Sequence, residues 1–177
     1  MFPALDPTGN VRYLQARYLE PGDGPKYDNP AAALGPNPRL PWTRTDRPSR
    51  PGLLVVCEGI PDALTAAQAG YTAVAILGSQ APDHGVAASL CTHAQNHDLD
   101  IVAVIDNDPA GRAWGHRLGD LLAEHGHDLT IIEPPGEGLD LTGWALCDAD
   151  WTGNMPNRQV LGAASEIPIT TITLTVT

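Results

Sequence analysis

The chain has 177 residues, 42% of them hydrophobic and only 5% aromatic, which suits one domain with a mainly aliphatic core. No apolar run approaches the roughly 20 residues that cross a bilayer, and no basic segment followed by an apolar one marks the N-terminus. We therefore expect a cytoplasmic protein without membrane association. The net charge of −11 argues against a protein that coats nucleic acid non-specifically.

The charges are unevenly distributed along the chain. Residues 1–50 contain seven Lys and Arg against five acidic residues, whereas the rest contains three basic residues against sixteen acidic ones. This asymmetry is compatible with a phosphate-binding segment in front of a metal-binding body, but the charges alone slightly favour ordinary scatter with an acidic surface. Three cysteines without paired spacing predict neither a disulfide framework nor a zinc site.

Residues 1–30 are predicted to form a small mixed or β-hairpin subdomain. The turn "DPTGN" separates two segments that can pair, and "VRYLQARYL" alternates loosely between its two sides. Residues 31–51 are rich in Pro and Gly and are predicted to be a linker. Residues 151–177 form a C-terminal extension whose β propensity predicts either an added edge strand or a poorly ordered tail.

Residues 52–150 alternate between short apolar runs and segments with helical composition. The runs "LLVVCEG", "TAVAIL", "DIVAVID" and "DLTIIEP" are predicted to be buried strands, and helices are predicted between them. Such alternation with short connections predicts an α/β fold with a mostly parallel, Rossmann-like sheet flanked by helices. In these folds, ligands bind outside the carboxyl ends of the strands.

Acidic residues follow three of these strands. Glu58 comes after the first strand, Asp106 and Asp108 after the third, and Asp140 after the fourth. Clustered carboxylates repel one another, and a hard divalent cation such as Mg²⁺ or Mn²⁺ relieves that repulsion. We therefore predict that the three aspartates bind metal and that Glu58 acts as a general acid or base. Taken singly, each aspartate is better explained as a turn residue or a helix cap, and it is their grouping at successive strand ends that favours the metal site.

Two motifs resemble those of Toprim domains, and most closely those of bacterial DnaG-type primases. They are "VCEGIPDALTAAQAG", with its Glu-Gly at a strand end, and "IDNDPAGRAW", with its Asp-x-Asp. The resemblance implies a Toprim fold, catalysis by Glu58 and two Mg²⁺ or Mn²⁺ ions, with Asp62 as a secondary acidic candidate. The last primase motif resembles "GLDLTGW", but here Thr142 replaces the second acid and Leu139 replaces the usual lysine.

The N-terminal segment resembles the small subdomain that precedes Toprim in these primases. The matching stretches are "LQARYL" and "PKYDNP". The resemblance implies that nucleotides or nucleic acid bind to Arg17, Lys26 and Asn29. It also implies a phosphate contact for Arg112 after the Asp-x-Asp motif, although an exposed helix arginine that makes only a surface ion pair is nearly as well supported. The implied partners are a single-stranded DNA template and nucleoside triphosphates, with a replicative helicase or a separate zinc-binding chain as further candidates.

Three functions stay open at this point. The first is a primase-like nucleotidyltransferase that makes short primers on single-stranded DNA, and the basic N-terminal segment favours it. The second is a Toprim nuclease that uses the same acids to activate water, because a fold does not choose between these activities. The third is a non-catalytic primase remnant that binds single-stranded nucleic acid or a partner, and Thr142 and the acidic net charge favour it. The chain is interpreted as a primase fragment, a split-gene product or a mobile-element protein.

Overall fold

The computed structural model describes residues 1–18, 27–31, 38–43, 49–50, 52–77, 82–156 and 172–173, which form two sheets and their flanking helices. No helix of the described residues is long and apolar enough to span a membrane. The strands are β1 (Phe2–Leu5), β2 (Val11–Arg17), β3 (Tyr27–Asp28), β4 (Leu53–Cys57), β5 (Thr72–Ala75), β6 (Asp100–Val104), β7 (Leu129–Ile132) and β8 (Ile172–Thr173). The helices are α1 (Ile60–Gln68), α2 (His84–His97), α3 (Pro109–Ala123) and α4 (Leu141–Cys147), followed by a 3₁₀ helix at Trp151–Asn154.

The larger sheet is parallel apart from its last strand. Its order is β5-β4-β6-β7-β8, and only β8 runs antiparallel to its neighbour. All five residues of β4 are buried, as expected for a strand covered on both faces. The cores on the two faces show that α1 and α4 cover one side of the sheet, while α2 and α3 cover the other. The predicted α/β architecture is confirmed.

The strand order creates a topological switch point between β4 and β6. The chain leaves β4 for β5 on one side and then returns past β4 to β6 on the other. Open α/β sheets bind ligands in the crevice that such a reversal leaves at the carboxyl ends of the strands. The last residue of β4, Cys57, pairs with the last residue of β6, Val104, so these two strands end side by side.

The N-terminal sheet has the order β1-β2-β3 and is antiparallel. The turn between β1 and β2 is fixed by Asp6, whose Oδ1 accepts hydrogen bonds from the amides of Thr8 and Asn10, both at 3.0 Å. Tyr13 and Gln15 point inward and are buried, as the alternation of β2 predicts. The predicted hairpin is confirmed.

Residues 38–43, inside the segment predicted to be a linker, join the two sheets. Trp42 forms antiparallel bridges to Leu5 of β1 and to Val74 of β5. The amide of Thr43 donates to the carbonyl of Ala73 at 3.1 Å, which extends the pairing along β5. Trp42 is only 6% exposed, so this connection is part of the core.

Candidate active site

Glu58 and Asp106 meet at the switch point. Glu58 directly follows β4, and the amide of Asp106, two residues past β6, donates to Oε1 of Glu58 at 3.1 Å. Burial, together with the negative charges of Asp106 and Asp108, raises the pKa of Glu58 to about 7. A carboxyl group with a pKa near neutrality exchanges a proton readily at neutral pH, which suits general acid or base chemistry.

Asp108 and Asp140 are the N-cap residues of α3 and α4. Oδ1 of Asp108 accepts a hydrogen bond from the amide of Gly111 at 2.7 Å, at the start of α3. Oδ1 of Asp140 accepts one from the amide of Gly143 at 2.6 Å, at the start of α4. The capping interpretation is therefore confirmed for both residues. Because a cap uses one carboxylate oxygen, the second oxygen of each residue is the one that a metal ion would bind.

The turn that carries Asp106 and Asp108 is tightly folded against α3. The carbonyl oxygen of Asp106 accepts a hydrogen bond from the amide of Asp108 at 2.8 Å. A Cβ atom on Gly111 would lie 2.2 Å from that same carbonyl oxygen, so only glycine fits there. The close approach of α3 keeps both aspartates at the carboxyl edge of the sheet.

Asp62 has a different environment from the other acids. It lies in the first turn of α1 and is only 7% exposed. Its Oδ1 accepts hydrogen bonds from the backbone amide of Thr142 at 3.0 Å and from Oγ1 of Thr142 at 2.8 Å. Burial raises the pKa of Asp62, and the two hydrogen bonds from Thr142 oppose that rise. Thr142 thus supplies donors to a buried carboxylate that a second acid in its place would repel.

Tyr27 of the N-terminal sheet lies within electrostatic reach of the acids, and Arg17 lies beside it. The guanidinium carbon of Arg17 is 5.9 Å from the centre of the Tyr27 ring. Burial raises the pKa of Tyr27, Arg17 lowers it, and the charges of Asp62, Asp140 and Asp106 raise it further. Tyr27 matches the primase-like pattern in "PKYDNP", but it was not among the residues predicted to bind nucleotides.

Of the other two N-terminal residues predicted to bind nucleotides, the structure describes only Asn29. Oδ1 of Asn29, just after β3, accepts a hydrogen bond from Nε2 of Gln15 at 3.1 Å. Gln15 is buried, so it fixes Asn29 from inside the hairpin. Lys26 lies outside the described residues.

Arg112, predicted to contact phosphate, binds two side chains of this chain, Asn107 and Glu133. Its Nη1 donates to Oδ1 of Asn107 at 3.1 Å and forms an ion pair with Glu133, which follows β7. The carboxyl ends of β4, β6 and β7, which carry Glu58, Asp106, Asp108 and Asp140, form the acidic edge of the sheet. The side chain of Arg112 is 45% exposed, so it lies at the protein surface beside this edge. The sequence did not single out Asn107, which is the variable residue of the Asp-x-Asp motif, or Glu133, which directly follows β7 but lies outside the motifs that carry the resemblance.

The donor set fits an open site for a hard divalent cation. Within the described part of the chain, no three His, Cys, Asp or Glu side chains are close enough to form a preassembled metal site. Mg²⁺ usually takes one or two protein carboxylates and completes its shell with water and phosphate oxygens. The carboxylates at this edge provide that number of oxygens. Burial and, after it, the negative charges of Asp106 and Asp108 raise the pKa of Glu58, and a bound cation would offset the part that these charges contribute.

A parallel sheet in this order, with Glu-Gly after one strand of the switch point and Asp-x-Asp after its neighbour, defines a Toprim-type α/β fold. The sequence profile of the Toprim-like family matches residues 55–143, about half of the chain, and the chain belongs to that family. No curated protein matches the chain in sequence.

Solved structures with the same fold include several primase domains. A DNA primase domain from Pseudomonas aeruginosa has a TM-score of 0.66 and 25% identity over 86% of this chain and 49% of its own. The Aquifex aeolicus primase (zinc binding and RNA polymerase domains) has a TM-score of 0.67 and 21% identity over 97% and 40%. A DnaG primase catalytic domain bound to ssDNA has a TM-score of 0.64 and 23% identity over 92% and 50%. The chain therefore has a DnaG-like fold and spans half or less of the length of these structures.

Proposed function

We propose that this chain is a primase-like nucleotidyltransferase core that joins nucleoside triphosphates into short primers on single-stranded DNA. The observation that carries the proposal is the contact between Glu58 and Asp106 at the switch point, where α/β sheets bind their ligands. The likeness to DNA primase domains supports the same reaction class.

The acids divide into two roles in this proposal. Asp106, Asp108 and Asp140 hold Mg²⁺ or Mn²⁺, in total two ions. When bound, these ions stabilise the attacking 3′-oxygen and the leaving pyrophosphate. Glu58 accepts the proton of the attacking 3′-hydroxyl, and its pKa of about 7 keeps enough of it ionised for this role at neutral pH.

The N-terminal sheet supplies positive charge to the substrate phosphates. Arg17 and Asn29 lie on the β2–β3 side of this sheet, and Lys26 directly precedes β3 in the sequence. The charges of Asp62, Asp140 and Asp106 act on Tyr27, and the Arg17 guanidinium lies 5.9 Å from the Tyr27 ring, which supports Arg17 as a contact for the substrate phosphates. A similar DnaG catalytic domain has been solved bound to ssDNA, which supports a single-stranded template as partner. A helicase or a separate zinc-binding chain would complete the assembly.

A non-catalytic binding module is the second candidate. Two observations favour it: Thr142 stands in place of a carboxylate and binds Asp62, and the described acids form no preassembled metal site. In this alternative, the chain holds single-stranded nucleic acid or a protein partner without performing phosphoryl transfer.

Primer synthesis by the full chain tests the proposal. The protein is incubated with single-stranded DNA, labelled ribonucleotides and Mg²⁺ or Mn²⁺, beside Asp106→Asn and the control Asp128→Asn. Asp128 is exposed and lies at the amino-terminal end of β7, away from the carboxyl ends of the strands where the acids lie. We expect short templated products that Asp106→Asn reduces by roughly 100-fold or more and that the control retains. Degraded DNA would instead identify a nuclease, and a gel shift without products would identify a binding module.

A further inference from the structure

Asn107, the residue between the two aspartates of the Asp-x-Asp turn, joins that turn to the loop that carries Asp140. Its amide donates to the carbonyl of Leu139 at 2.9 Å, and its carbonyl accepts from the amide of Gly138 at 2.8 Å. Its side-chain Nδ2 donates to the carbonyl of Pro134 at 2.7 Å. Three hydrogen bonds from one residue therefore connect loops that follow two different strands.

The orientation of the Asn107 amide is fixed by a second set of contacts. Its Oδ1 accepts from Nη1 of Arg112, and Arg112 in turn pairs with Glu133 at the end of β7. A reversed amide would place its NH₂ group against the guanidinium and its oxygen against the Pro134 carbonyl, which loses both hydrogen bonds. The Arg112–Glu133 pair therefore directs Nδ2 toward the loop that carries Asp140.

We propose that Asn107 is a positioning residue that sets the place of Asp140 relative to Asp106 and Asp108. The carboxylates come from loops that repel one another electrostatically, and the hydrogen bonds of Asn107 hold those loops together before any cation binds. This inference rests on the proposed function, because its consequence is the affinity of the acidic edge for a divalent cation. Residues that orient metal ligands in this way typically change metal affinity by about 10- to 100-fold.

Mn²⁺ binding to the full chain, followed by electron paramagnetic resonance, tests this role. Four proteins are compared: wild type, Asn107→Ala, Asp140→Asn and the double variant. We expect Asn107→Ala to weaken Mn²⁺ binding by about tenfold or more. In the Asp140→Asn background the same substitution should have little further effect, because Asp140 then has no charge to position. Losses that multiply in the double variant would overturn the inference. Asn96→Ala, at an exposed position of α2, is the matched control.

Hydrogen exchange in the metal-free protein gives a readout that does not depend on metal. We expect Asn107→Ala to accelerate exchange of the Gly138 amide roughly tenfold, while the amides of β4 keep their wild-type rates. An unchanged Gly138 rate would overturn the inference, because the two loops would then be held together without this side chain. Failure of the wild-type protein to bind Mn²⁺, with the exchange result as expected, would instead overturn the metal dependence of the proposed function.

Discussion

The surroundings of Glu58 disfavour its ionised form. Its folded pKa of about 7 is above the ordinary value of 4.5, because burial and neighbouring carboxylates oppose ionisation. Between these two pH values the folded chain binds a proton more tightly than the unfolded chain does. The free energy of unfolding therefore falls as the pH rises through this window, and the carboxylate destabilises the metal-free fold above it.

We predict that Glu58→Gln stabilises the metal-free protein at pH 8 and has little effect at pH 4. Glutamine keeps the acceptor for the Asp106 amide and removes the charge, so the expected gain is about 1–2 kcal/mol after allowing for solvent screening. Denaturant unfolding with a chelator at both pH values measures it. Asp128→Asn, at an exposed position before β7, is the control. An equal effect at both pH values would contradict the electrostatic explanation.

The Asp62–Thr142 contact makes a separate prediction at this scale. Thr142→Val removes the Oγ1 donor from a buried carboxylate, and we expect a loss of about 1–2 kcal/mol at pH 7. The hydrogen bond lowers the pKa of Asp62, so the loss should shrink as the pH falls and Asp62 becomes protonated. Denaturant unfolding across this pH range tests it against Thr92→Val, an exposed threonine of α2. A pH-independent loss would assign the effect to packing instead.

At the scale of the elements, the close packing of α3 against the Asp-x-Asp turn depends on Gly111. A methyl group there would meet the Asp106 carbonyl oxygen at 2.2 Å, and backbone atoms cannot move aside as a flexible side chain can. We predict that Gly111→Ala costs about 3 kcal/mol of stability or more, measured by thermal or denaturant unfolding. Gly153→Ala, where a Cβ meets no atom within 4 Å, should be nearly neutral. A stable Gly111→Ala variant would mean that α3 can shift away from the turn.

The regular elements could be predicted because their signals are local. The runs that became β4 and β6 are apolar along their length, and Pro109 and Gly126 bracket the segment that contains α3. The segment 38–43 could not be predicted as a sheet element, because it joins the sheets through isolated bridges and shows no periodicity among its prolines.

In the candidate site, too, the features with a local signal could be predicted and the long-range contacts could not. Parallel topology alone brings Glu58 and Asp106 to one edge, so sequence order was sufficient to group them. The contact between Asp62 and Thr142 spans 80 residues, and the bond from Asn107 to Pro134 spans 27. Such partners depend on how separate loops meet in space, and a single sequence has no local pattern that reports it.

For the molecule as a whole, residues 38–43 determine whether the N-terminal sheet and the parallel sheet behave as one unit. Trp42 exchanges two backbone hydrogen bonds with Leu5, and its ring packs at a tilt against His93 of α2 with ring centres 4.1 Å apart. The proposed function needs the N-terminal sheet to stay beside the carboxylates, and Arg17 belongs to the sheet that this segment anchors. A firm connection therefore positions the basic residues relative to the acids.

We predict that Trp42→Ala loosens the N-terminal sheet before the rest of the protein unfolds. Removing a buried tryptophan typically costs about 3–5 kcal/mol, and here the loss falls on the junction of the two sheets. Hydrogen exchange followed by mass spectrometry should show faster exchange in β1 and β2 and slow exchange retained in β4 and β6. Trp114→Ala, on the half-buried face of α3, should lower stability without this selective effect. Equal acceleration in both sheets by Trp42→Ala would mean that the junction cannot open by itself and that the chain unfolds only as a whole.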